Sequence, residues 1–305
     1  MWRTSLQTGI NQIRANGRMV WIYYLTSLVL AIPLMLPLWN SLRQFLGTSE
    51  MGALLAGRLD WDFVFEFLHA HPGLLSSLGW LIATVFVLHF FWSLFLSGGV
   101  FAVFAEGRGY SALTFWSGAA KYFGRFVRLA AWTVLPALAV LLVLFLPGLV
   151  KRVLFGRDPY ENISYWTGWV VVGLGYIGLL WLKLVFDYAR IYVVKSDEGN
   201  MRAALREGLR LVLRNFGRTF LLALLFFAAG VLLWLIYNPL ANSLAAPNGL
   251  VVLLLFAVQQ ASLFGRKLLR LTLYACETQL DEAIRQAGRQ ASQTVNELGW
   301  EGAWA

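Results

Sequence analysis

The chain has 305 residues, of which 59% are hydrophobic and 13% charged, with a net charge of +9 and one cysteine. Soluble domains carry roughly 25% charged residues, so a soluble fold of this length is excluded; the single Cys276 also excludes an internal disulfide framework and a cysteine-based metal cage. The apolar residues gather in blocks of bilayer length, about 20 residues at about 1.5 Å rise each, not in the short alternating segments of a β-barrel.

The first such block is 19–38, which contains Pro33 and Pro37 and lacks a small-residue cleavage site, so it is expected to be a retained span. The second, 74–105, exceeds the bilayer and should tilt or protrude. The others cover about 126–150, 166–194, 219–237 and 250–275, followed by a tail over 276–305. The expected fold is all-α, a polytopic helical membrane bundle of six transmembrane helices in one domain over 1–305. Of its 25 lysines and arginines, 19 fall at the amino terminus, the second and fourth loops and the tail. The other loops carry five, among them Lys151, Arg152 and Arg157 in the third loop, and Lys183 lies within a span. Positive loops stay inside, so both termini are expected in the cytoplasm. The same distribution makes the positive charge a membrane feature, and no nucleic-acid partner is expected.

Three segments look alike: Leu6 to Arg18, Leu113 to Arg125 and Met201 to Arg218. Each is a short amphipathic stretch, then Gly-Arg at 17–18, 124–125 and 217–218, then a span, with an echo at Phe264-Gly265-Arg266. This predicts short helices along the cytoplasmic interface, a glycine turn into the membrane, and an arginine at headgroup level. In the last segment Asp197 or Asn200 is placed to cap a helix, and Arg202, Arg206, Arg210, Arg214 and Arg218 recur every four residues. Four residues advance about 400°, so the stripe drifts slowly round the helix, and Leu205, Leu209, Val212 and Phe216 take another face. These arginines, with Arg125, either enforce topology by snorkelling or bind anionic headgroups or an acidic partner.

Ionisable groups at membrane depth are costly and are the default functional candidates. His89, Ser93 and Ser97 share one face of the second span, suited to gluing a neighbouring helix or lining a polar path. Lys183, Asp187 and Arg190 share a face of the fourth, with Lys183 and Asp187 spaced to pair. Ala257, Ala261 and Gly265, flanked by Gln259 and Gln260, form a small-residue packing face in the sixth. Asp62, Glu66 and His69, before His71, read as a solvated acidic face more than as metal ligands. No phosphate loop, HExxH or GxSxG motif is present, and Gly107-Arg108-Gly109 is too short to act as one. No catalysis, cofactor or metal is expected.

Ser97-Gly98-Gly99-Val100 leads into Glu106-Gly107-Arg108, and Tyr122 to Leu129 reads YFGRFVRL; Asp187-Tyr188-Ala189-Arg190 and Ala203 to Arg218 follow. On these residues the chain resembles a group of bacterial six-span membrane proteins, similar to the membrane domain attached to some glycerophosphoryl diester phosphodiesterases. The resemblance implies a bacterial cytoplasmic (inner) membrane location and a lipid connection. The phosphodiesterase catalytic domain is absent, so its reaction does not transfer. The functional expectation is a lipid-interacting or transport-like protein acting through arginine-rich interfacial helices. A scaffold or accessory subunit that docks a membrane protein partner, through its tail around Leu280 to Leu298, is the alternative.

Overall fold

The computed structural model describes residues 2–47, 61–70, 72–107, 109–156, 161–244 and 248–301. Arg108, Arg157 and His71, named above, lie outside them. The described residues are helical almost throughout: α1 Trp2–Ala15, α2 Arg18–Leu46, α3 Trp61–Ala70, α4 Pro72–Glu106 and α5 Ala112–Phe155. Then come α6 Glu161–Ser196, α7 Met201–Arg214, α8 Phe216–Ser243 and α9 Gly249–Glu301. Six of them, α2, α4, α5, α6, α8 and α9, are long and apolar enough to cross a membrane. Their outer surfaces are lined by large exposed side chains such as Trp80, Phe86 and Leu142, as a lipid-facing surface requires.

The chain forms two compact units, one of Met1–Arg14, Gly98–Leu225 and Thr272–Ala305, the other of Ala15–Ser97 and Phe226–Leu271. In the first unit the buried side chains concentrate on one stretch of each helix. They lie from Phe115 to Leu129 on α5, from Leu184 to Val194 on α6, and from Leu273 to Asp281 on α9. Close helix approach there depends on missing side chains. A Cβ on Gly99 would collide with the Phe115 carbonyl, and one on Gly118 with the Ala102 side chain. On Gly208 it would fall 2.8 Å from the Ala189 amide and 2.9 Å from the Val185 carbonyl, so α7 lies against the backbone of α6. On Gly9 it would sit 2.5 Å from the Cys276 sulfur, which seats α1 on α9. The glycines that the sequence places beside Ser97 thus set the α4–α5 crossing.

In the second unit the Tyr24 hydroxyl donates to Gln260 Oε1 at 2.8 Å, and Trp21 and Tyr24 pack on Phe264. Phe45 meets Phe63 and Phe67 edge-on. The small-residue face of α9 is only partly a seam: Gly265 would bring a Cβ to 3.1 Å from Leu233, but Ala257 and Ala261 are exposed.

The recurring unit is realised unevenly. α1 ends at Ala15, and α2 begins after Asn16-Gly17. α7 and α8 are also separate, but the corner is Asn215, not Gly217: its side chain donates to the Leu211 carbonyl, and its own carbonyl accepts from Arg218 and Thr219. The stretch from Leu113 to Arg125 is not a separate short helix, because α5 runs unbroken for 44 residues through Gly124. Likewise α9 runs straight through Gly265. A glycine in a helix costs about 1 kcal/mol relative to alanine, too little by itself to break a long helix. The glycines that do end helices adopt positive φ, Gly47 after α2, Gly107 after α4 and Gly156 after α5.

These contacts separate two substitutions of the same kind. Gly208→Ala is expected to lower the unfolding midpoint of the detergent-purified protein, by about 1–3 kcal/mol as overpacking costs. Gly124→Ala has nothing within 4 Å of the new methyl and should leave stability unchanged or raise it by up to about 1 kcal/mol. Equal midpoints for the two variants would contradict the α6–α7 contact.

Candidate functional site: a buried charged seam and an exposed arginine face

The strongest concentration of polar chemistry lies in the first unit, where α6 meets α9. Asp187 and Arg190 project from the same face of α6 and form an ion pair, with Asp187 1% and Arg190 3% exposed. The guanidinium also donates to the Tyr274 hydroxyl of α9 at 3.3 Å. Around it stand the rings of Phe186, Phe101, Tyr274 and Phe126, with centroids 4.5, 5.1, 5.2 and 5.8 Å from its central carbon. A buried guanidinium needs both a counter-charge and polarisable surroundings, and α4, α5, α6 and α9 each contribute one side of that enclosure. Asp187 therefore pairs with Arg190 and not, as its spacing suggests, with Lys183, whose side chain is exposed. Burial decides the choice: the core offers Asp187 a cation held in the same low-dielectric space.

One to two turns further along both helices a second set ties the same pair together. Lys195 of α6 meets Asp281 at 3.1 Å and Glu282 at 3.3 Å, and donates to the Thr278 carbonyl at 3.0 Å. Arg285 meets the other oxygen of the fully buried Asp281 at 2.8 Å. Between the two sets lies Glu277, 0% exposed, with neither carboxyl oxygen hydrogen-bonded among the described residues. Glu277, Asp281 and Tyr274 were not visible as site residues in the sequence, because they fall where the sixth apolar run gives way to a polar tail. The signal that was present is their spacing at i, i+3 and i+7, one helical face.

Arg125 has a protein partner. Its Nη1 bonds Asp197 Oδ1 at 2.6 Å and the Asp197 and Glu198 carbonyls at 3.0 and 3.4 Å. Lys121 joins at 3.1 Å. Asp197 is the one described non-glycine residue with positive φ, and these two cations hold the loop after α6 in that conformation. Lys121, and then Arg125, also hold its carboxyl below the usual carboxylate range. Asp197 is thus used up by α5, and Asn200 alone caps α7, accepting from the Arg202 and Ala203 amides.

α7 itself is two-faced. Met201, Ala204, Gly208 and Val212 are buried; Arg202, Arg206, Arg210, Arg214 and, just beyond, Arg218 are exposed. Phe216, assigned with Leu205, Leu209 and Val212 to the apolar face, is itself exposed because the helix ends at Asn215. Arg202 lies over the Trp132 ring at 4.2 Å, and Arg210 is 3.6 Å from Glu207. The other three project with no protein partner among the described contacts.

His89, Ser93 and Ser97 do share one face of α4, increasingly buried towards Ser97. The two hydroxyls are spent on their own helix, bonding the Phe90 and Leu94 carbonyls. Neither hydroxyl makes an interhelical hydrogen bond among the described residues. Asp62, Glu66 and His69 sit on α3, and among the described residues no three His, Cys, Asp or Glu side chains converge at metal-binding distance.

Removing one member of a buried ion pair strands the other, at a cost of about 3–5 kcal/mol. Arg190→Met and Asp187→Leu should each lower the unfolding midpoint strongly, and the double variant should lose less than the sum of the two. Additive losses would contradict the pairing.

Compared with protein-family models, with curated proteins and with solved structures, the chain matches none of them. What it does must be argued from its own geometry.

Proposed function

We propose that the protein is a multi-pass protein of the bacterial inner membrane, with both termini in the cytoplasm and no catalysis of its own. It engages anionic lipid headgroups in a lipid-interacting or transport-like role. The observation that carries this reading is the geometry of α7: a separate 14-residue helix buried along Met201, Ala204, Gly208 and Val212 and exposed along its arginines. A helix anchored by one face has no need of a row of cations on the other for folding. Each arginine near an anionic surface contributes about 1 kcal/mol of attraction. Arg206, Arg214 and Arg218 are the strongest contributors, since Arg202 is engaged by Trp132 and Arg125 by Asp197. The connection of α7 through Asn215 directly into α8 places the same residues where a span begins.

Native mass spectrometry of the protein released from native-lipid particles tests the reading. The wild-type protein should retain an anionic lipid at fixed stoichiometry, and the Arg206→Gln/Arg210→Gln/Arg214→Gln variant should lose it while keeping normal abundance and unfolding midpoint. Unchanged retention would contradict the proposal. A stoichiometric protein companion without specific lipid would replace it with a scaffold role.

A further inference from the structure

The seam between α6 and α9 contains an acid that its surroundings do not neutralise. Glu277 is fully buried, and among the described residues neither of its oxygens has a hydrogen-bond donor. Its neighbours on either side of the seam are already committed. Asp187 is paired with Arg190, and Asp281 takes both Lys195 and Arg285. The groups whose charge reaches Glu277 are Asp187, Lys183 and Arg190 of α6. Tyr188 of α6 and Cys276 of its own helix lie in the same electrostatic neighbourhood, with Asp281 acting on Tyr188. α4 and α5 border the Arg190 site with the rings of Phe101 and Phe126 and bring no charge. α1 presents Leu6 and Gly9 to Cys276. The Asp187 Oδ2, Tyr188 hydroxyl and Arg190 Nε atoms are buried and unmatched among the described residues as well.

A bare carboxylate in such a place is costly, since burial removes its hydration and nothing replaces it. The smallest ligand that cures both faults is a proton: it removes the charge and turns an acceptor-only group into one that also donates. Metal ions are disfavoured, because no three acidic, cysteine or histidine side chains converge here among the described residues. We propose that Glu277 is a proton-binding site, held as the neutral acid in the packed α6–α9 seam. Release of that proton to water leaves an uncompensated anion in the core, so it requires the seam to open far enough to hydrate Glu277 or to bring an exposed cation such as Lys183 to it. Proton occupancy at Glu277 and packing of α9 on α6 are thus one linked equilibrium, independent of whether α7 binds lipid.

The linkage has a definite sign. A carboxyl that keeps its proton when folded and loses it when unfolded stabilises the fold in acid, and that contribution fades as the pH rises above the ordinary carboxylate range. Infrared spectroscopy of the full-length protein in lipid, titrated from acid to alkaline pH, reads the site directly through the carbonyl stretch of a protonated carboxylic acid. The expected result is such a band at neutral pH that disappears in Glu277→Gln, an isosteric mimic of the neutral acid. Glu277→Gln should also keep the wild-type unfolding midpoint at acidic pH and fall less than wild type as the pH rises. Should that variant fail to accumulate, Glu277→Asp assigns the band by shifting it. Absence of a protonated-carboxyl band from the wild-type protein at neutral pH overturns the proposal, as does a band that neither variant alters.

Discussion

The burial of Arg190 is the constraint on which the first unit depends. A guanidinium that is 3% exposed has lost its water, and this loss is tolerable only if a carboxylate and several ring faces converge on it. Asp187 is supplied from the same helix, but Phe101, Phe126 and Tyr274 come from three other helices. Four helices must therefore reach one point before the charge is compensated. The close approaches follow from that requirement. Gly99 and Gly118 bring α4 onto α5, Gly208 brings α7 onto α6, and Gly9 brings α1 onto α9. The Lys195–Asp281–Arg285 set then fixes how α9 lies along α6.

Away from that point the helices need much less from one another. Beyond Leu129 on α5 and before Leu184 on α6 their side chains are largely exposed and apolar, and the lipid covers such surfaces as well as a neighbouring helix does. Backbone hydrogen bonds are satisfied within each helix. Pro136 and Pro147 sit inside α5 without ending it. At the far end an open, mostly apolar cleft between α5 and α6, about 430 Å³, is lined by Pro147, Phe155, Ile163 and Trp166, with Lys151 among the lining residues. This division of labour, a charged and tightly packed end and an apolar, loosely packed remainder, explains why the ionisable groups collect where they do.

Much of this was legible in the sequence. Six apolar runs give six spans, because the requirement for about 20 apolar residues leaves little room for another outcome. The exposed arginine row of α7 also follows from spacing, but of the apolar face expected there only Val212 is buried, with Met201, Ala204 and Gly208 in place of Leu205, Leu209 and Phe216. Other features were hidden because one residue type serves two physical ends. Gly124 reads as a hinge, but a glycine interrupts a helix only where the neighbouring contacts favour a turn, and here Tyr122 and Phe126 on either side are buried in the core. Arg125 reads as a headgroup ligand, yet its carboxylate lies 72 residues away at Asp197, a distance that no local pattern reveals. Asp187 had two cations within reach along its own helix, and only tertiary burial selects Arg190. Glu277 escaped notice for a similar reason: an acid past the end of an apolar run ordinarily faces water, and here the helix carries it back into the core.

In the proposed orientation α7 and the loop at 197–200 face the cytoplasm and the turn at Asn248 faces the outside. Cysteine labelling in intact cells tests this most directly, because the native Cys276 is buried and leaves a silent background. With a membrane-impermeant maleimide, Asn248→Cys should react in intact cells and Gly199→Cys only after the membrane is opened. The reverse pattern would put the arginine face of α7 on the wrong side of the membrane and contradict the account.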